Sequence, residues 1–96
     1  MEIAAKLNII TISGNIKSIG DFAKIKSIVD DVTNQHKNIT VNIVDSLSIT
    51  SSVIGYFNKL ILKDKIVVKM SVGSEQLLNL LDDLNLTSIF NARRNL

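Results

Sequence analysis

Ile39-Thr40-Val41-Asn42-Ile43-Val44-Asp45 decides the fold. The run is rich in β-branched residues and alternates with period two: Ile39, Val41 and Ile43 share one side, Thr40 and Asn42 the other. That pattern marks a strand with one buried face. The stretch 46–52 that follows is polar and rich in hydroxyls, with Leu47 and Ile49 expected to anchor it inward. Residues 51–63 then read as a helix whose buried face is Val53, Phe57, Leu60 and Ile61.

The same alternation between strand and helix continues in both directions. On the N-terminal side, residues 18–36 read as a helix, with Phe22, Ile25, Val29 and Val32 at helical spacing and Ile28 widening the stripe. Ser18 suits the N-cap, and Asp21, three residues on, suits the positive helix start. Residues 7–13 are rich in β-formers and stop at Gly14-Asn15, a turn signal, so they read as a strand. Residues 2–5 are expected to pair with it as a hairpin. On the C-terminal side, Ile66, Val68, Met70 and Val72 alternate in a third long strand that ends at Gly73. Ser74 should cap a last helix that buries Leu77, Leu80, Leu81 and Leu84, with Asn85 as its left-handed terminator. Residues 87–92 are expected to add a helical turn, and residues 93–96 to fray.

Strands separated by helices of this length call for crossover units and parallel strand pairs. The expected fold is therefore α/β: one domain over residues 1–96, with a mixed sheet of about four strands and three or more helices. In such sheets, sites gather where strand C-termini meet helix N-termini. Here that place is the segment 45–52.

The composition excludes several function classes. With 96 residues, 46% of them apolar, the chain can bury one modest core and little else. No cysteine is present, which removes disulfides, thiolate metal sites and thiol nucleophiles. The lone His36 cannot assemble a transition-metal site, so neither metal nor cofactor is expected. His36 ends the first helix, at the edge of the sheet opposite Ser51 and Ser52, so a Ser–His–Asp site is not expected either. Asp30-Asp31 and Asp82-Asp83 are adjacent helix residues that point apart, and they read as solvated faces rather than carboxylate dyads. Phosphate-binding glycine motifs are absent. Eleven Lys and Arg are scattered among nine Asp and Glu, for a net charge of +2, so no nucleic-acid partner is expected. The start has no signal-peptide character, and no apolar run approaches a membrane span. A cytoplasmic protein with no catalytic residues and no direct membrane insertion is the expectation.

Three segments add a resemblance. Ile10-Thr11-Ile12-Ser13-Gly14-Asn15-Ile16 is a strand that ends in glycine and leads by a short loop into a helix. Ile43-Val44-Asp45 closes the central strand on an acid; Ser46-Leu47-Ser48 is a short loop; Ile49-Thr50-Ser51-Ser52-Val53-Ile54-Gly55 opens the second helix. Leu84-Asn85-Leu86-Thr87-Ser88-Ile89-Phe90 forms the tail. In this element order, and over nearly the whole chain, they resemble the STAS family, the fold of anti-sigma-factor antagonists and of sulphate-transporter tails. Thr50 stands where the family pattern has an acid, and Val53 where it has a glycine. These departures bear on phosphorylation by an anti-sigma kinase and not on the fold.

The resemblance implies a bacterial signal-transduction domain in transcription regulation that binds a protein partner. That partner would be an anti-sigma factor with serine-kinase character, or another signalling complex. By position the phosphoacceptor is Ser52, with Ser51 beside it, and the partner surface comprises Asp45, Ser48, Thr50, Ser51, Ser52 and Gly55. A second reading is a small accessory subunit of a membrane lipid or anion transport system, since a lipid-transport branch of the family also has threonine near this position. A homodimer is compatible with either.

The residues also admit plainer explanations. A hydroxyl at the start of the second helix is needed as a cap, and that accounts for one of Thr50, Ser51 and Ser52. Asp45 at a strand end is the type of residue that stabilises a loop. The functional reading rests on the rest: a phosphate on an exposed serine in the first helical turn meets free N–H groups and partial positive charge. It would add about −1.5 to −2 charges to a docking surface.

Overall fold

The computed structural model describes residues 1–95. The elements are β1 (Glu2–Lys6), β2 (Ile9–Ser13), α1 (Ile19–Thr33), β3 (Asn38–Ile43), α2 (Ser51–Leu62), β4 (Val67–Val72), α3 (Glu75–Asp83) and β5 (Ala92–Arg94). The five strands lie in the sheet in chain order, with β3 at the centre. β1 pairs antiparallel with β2, and the remaining neighbours are parallel. The fold is thus α/β with a mixed sheet and three helices, as the alternation predicts, plus one strand beyond the four expected.

Every parallel crossover steps the same way along the sheet, so right-handed connections place α1, α2 and α3 on one face. Burial follows that arrangement. Ile10 and Ile12, Ile39, Val41 and Ile43, and Val68, Met70 and Val72 turn toward the helices and are buried. Thr11, Thr40, Asn42, Lys69 and Ser71 lie on the other face and keep solvent contact. A parallel sheet covered on both faces would read as continuous apolar runs. Here one face is open, and the strands alternate.

The helix starts are built locally. Ser18 Oγ accepts from the Asp21 amide at 3.0 Å, while the Asp21 carboxylate accepts from the Ser18 amide at 3.1 Å, a complete capping box. Bonds from the Lys17 and Ser18 amides hold the Asp21 carboxyl below its ordinary range. Ser74 caps α3 through the Leu77 amide. Asn85, at φ +59°, ends that helix, and the Leu86 amide returns to the Leu81 carbonyl at 2.8 Å. Under the helices, Phe22, Tyr56, Phe57 and Phe90 form a chain of edge-to-face rings with centroids 6.2, 5.6 and 6.1 Å apart.

Several expectations are corrected. Leu7, at φ +56°, belongs to the hairpin turn, so β2 starts at Ile9. Residues 34–36 lie beyond the end of α1. Tyr56 is buried on α2, whereas Ile61 is only half-buried. Leu84 is 49% exposed because the chain is already leaving the helix there, and Leu86 and Phe90 take over the core contact. Residues 93–95 do not fray: β5 pairs Ala92, Arg93 and Arg94 with Met70, Ser71 and Val72, and the Asn95 amide bonds the Val72 carbonyl. The part of that expectation that falls on Leu96 lies outside the described residues. In place of the helical turn expected over residues 87–92, residues 87–91 form a turn in which the Phe90 amide bonds the Leu86 carbonyl, and Ala92 already belongs to β5.

Candidate functional site

Two loops meet at the C-terminal edge of the central strands. One runs from the end of β2 into α1, over residues 14–18; the other runs from the end of β3 into α2, over residues 44–50. Polar side chains stitch them together. The Gly14 amide donates to Asp45 Oδ1 at 2.8 Å, and the Leu47 amide donates to Asn15 Oδ1 at 2.9 Å. Ser46 Oγ accepts from the Ile16 amide at 3.0 Å and donates to the Ser48 carbonyl at 2.7 Å. Ser48 Oγ reaches the Ile16 carbonyl at 3.3 Å.

The backbone explains two glycines here. Gly14 sits at φ +84°, where side chains are disfavoured. Gly73, which closes β4, donates its amide to the Ile43 carbonyl, and a Cβ on it would lie 1.9 Å from the Val44 carbonyl oxygen. The end of β3 is therefore clamped between the Gly14 turn and Gly73.

At the start of α2, Thr50 Oγ1 accepts from the Val53 amide at 3.3 Å and is the N-cap. Ser51 and Ser52 occupy the first two helical positions, and both are exposed. Gly55 follows one turn later, with open space where a Cβ would stand. Unlike α1 with Asp21 and α3 with Glu75, α2 carries no acid in its first turn.

The structure thus divides the sequence-derived candidates. Asp45 and Ser48 are engaged in the loop stitch and Thr50 in the cap, while Ser51, Ser52 and Gly55 present an outward face. The expectation that Leu47 anchors inward is corrected: Leu47 is 48% exposed, because Ser46 turns in instead. Ser46 is fully buried and is the residue that holds both loops, a role that a polar run does not reveal. Ile19, at the start of α1, is also strongly exposed, so the edge carries apolar as well as hydroxyl groups.

No protein-family model, curated protein or solved structure matches this chain.

His36 lies just after α1, before β3 begins, and Ser51 and Ser52 lie after β3 ends. A six-residue strand puts about 17 Å between those ends. A second polar group occurs between α1 and α2. Asp30, expected to be merely solvated, accepts from the Tyr56 hydroxyl at 2.6 Å and from Lys26 Nζ at 2.7 Å. Burial pushes the Asp30 carboxyl up, but the bonds from Lys26 and Tyr56 and the lysine charges more than offset it and hold it below its ordinary range. Burial first, and then the Asp30 carboxylate, drive the Tyr56 phenol well above its ordinary value. This group locks two helices together.

Proposed function

We propose that the chain is a non-enzymatic regulatory domain of STAS type that docks a protein partner on the exposed start of α2, and that phosphorylation of Ser52 switches the docking off. One observation carries the reading: Thr50 alone makes the capping bond, which leaves Ser51 and Ser52 exposed in the first turn of a helix whose N-terminus has no acid. A phosphate there would meet free amides and the positive helix end without displacing a structural bond. The stitched loops beneath present a preformed surface, so its charge can change without a refold. Leu47 and Ile19 give that surface apolar anchors, and Gly55 lets a partner approach the helix backbone closely.

The partner on this reading is an anti-sigma factor of serine-kinase character or another signalling complex. Affinity purification from the native organism, with mass spectrometry of both prey and bait, tests it. The expected result is a signalling partner together with a phosphopeptide containing Ser52. Transporter subunits among the prey, with unmodified Ser52, would favour the accessory-subunit reading, which Thr50 also fits.

A further inference from the structure

We propose that β1 is a homodimerisation strand: two copies of the chain pair β1 against β1 in antiparallel fashion and join their sheets into one. The strand order ends at β1, and its outer edge is unpaired among the described residues. Such an edge offers a row of free N–H and C=O groups to another strand. The two edges of this sheet differ in how they are protected. β5 is three residues long and carries adjacent Arg93 and Arg94, which would oppose their own copies. β1 is five residues long, exposed at every position but Ile3, and carries one charge of each sign.

The sequence of β1 is its own complement. Read as Glu2-Ile3-Ala4-Ala5-Lys6 against a reversed copy centred on Ala4, Glu2 faces Lys6 of the second copy, Ile3 faces Ala5, and Ala4 faces Ala4. Opposite charges across a strand pair are favourable, and every other position is small or aliphatic. Centring on a residue also keeps the helix-bearing faces of both sheets on the same side, since a one-residue slip would flip them.

A second feature lies at the same edge. Between β1 and α1 runs an open cleft of about 670 Å³ lined by residues 1–3 of the strand side, Glu2 among them, and by Ala23, Lys24, Ser27 and Ile28 of the helix. Ile3 and Ile28 are only half-buried there. The two-fold axis that pairs the strands brings the second α1 alongside the first and covers this cleft. Lys24 and Asp31 are seven residues apart, so they share a helix face on either side of Ile28, and antiparallel copies of that face meet with opposite charges. The occupant that fits is therefore the same chain, reversed. The inference is independent of the switch at Ser52, which lies on another part of the molecule.

Sedimentation of the full chain up to about 500 µM in low salt tests the proposal. A reversible dimer is expected. Glu2→Lys and Lys6→Glu should each weaken it on the order of tenfold, because each converts two attractive cross-strand pairs into repulsive ones. The double variant Glu2→Lys/Lys6→Glu should recover the parent affinity. An equimolar mixture of the two single variants should associate more tightly than either alone. Glu2 and Lys6 are both exposed, so circular dichroism should be unchanged. A chain that stays monomeric at the highest concentration overturns the proposal. So does a dimer indifferent to the single changes, or a double variant that does not recover.

Discussion

Replacing Ser46 by alanine removes one oxygen and leaves two groups without their partner, the Ile16 amide and the Ser48 carbonyl. The two losses differ in size. Ser48 is exposed, so its carbonyl can turn to water at a net loss of up to about 1 kcal/mol. Ile16 is buried, and its N–H faces no solvent, so orphaning it costs about 1–3 kcal/mol. The cavity left by a single oxygen adds little. The expected destabilisation is about 2–3 kcal/mol, which for a chain of this length lowers Tm by roughly 10–20 °C. Denaturant unfolding followed by circular dichroism measures the first quantity, and hydrogen exchange at the Ile16 amide should lose protection at the same time. A Ser46→Ala protein within about 0.5 kcal/mol of the parent, with Ile16 still protected, would refute the claim that Ser46 joins the two loops.

The end of β3 has no room beside Gly73, so Gly73→Ala must push the Val44 carbonyl away, and a loss on the order of 3 kcal/mol is expected in the same unfolding assay; a neutral result would show that the strand ends are not clamped. Tyr56→Phe removes the bond to Asp30 and should cost about 1 kcal/mol near neutral pH. The folded carboxyl of Asp30 lies below its unfolded value, so its contribution is present above about pH 4 and fades as pH falls further, which narrows the gap between parent and variant. The folded phenol of Tyr56 lies above its unfolded value, so its contribution is full below about pH 10 and declines as pH rises past it; because Tyr56 is the sole tyrosine, the variant lacks that alkaline loss. Unfolding curves across pH check both limbs, and a gap that widened in acid would contradict the assignment.

What was legible in the sequence was what the chain decides locally. Ile39, Val41 and Ile43 alternate with polar residues because one face of the sheet is bare, so the central strand announces itself. Ser18 with Asp21, and Ser74 with Leu77, are caps made within three residues and can be read directly. Ser46 and Leu47 could not be ordered correctly, because the amide that draws Ser46 inward belongs to Ile16, thirty positions away. The bond between Tyr56 and Asp30 spans 26 positions and escaped for the same reason. β5 carries no alternation and two arginines. It forms because Asn91, at φ +48°, turns the chain and bonds the Val68 carbonyl through its side chain. At the candidate site, the position of Thr50 and its neighbours was legible, while the stitch that supports them was not.

The central claim is that a partner docks on the start of α2 and that charge at Ser52 switches the docking. The most direct measurement is the affinity of the purified partner for the parent, for Ser52→Asp and for Ser52→Ala by calorimetry. A carboxylate at this helix start is neutral or stabilising for the fold, so Ser52→Asp should melt no lower than the parent. The account predicts that Ser52→Asp binds at least about tenfold more weakly while Ser52→Ala binds as the parent does. A Ser52→Asp protein that binds its partner as tightly as the parent would contradict it.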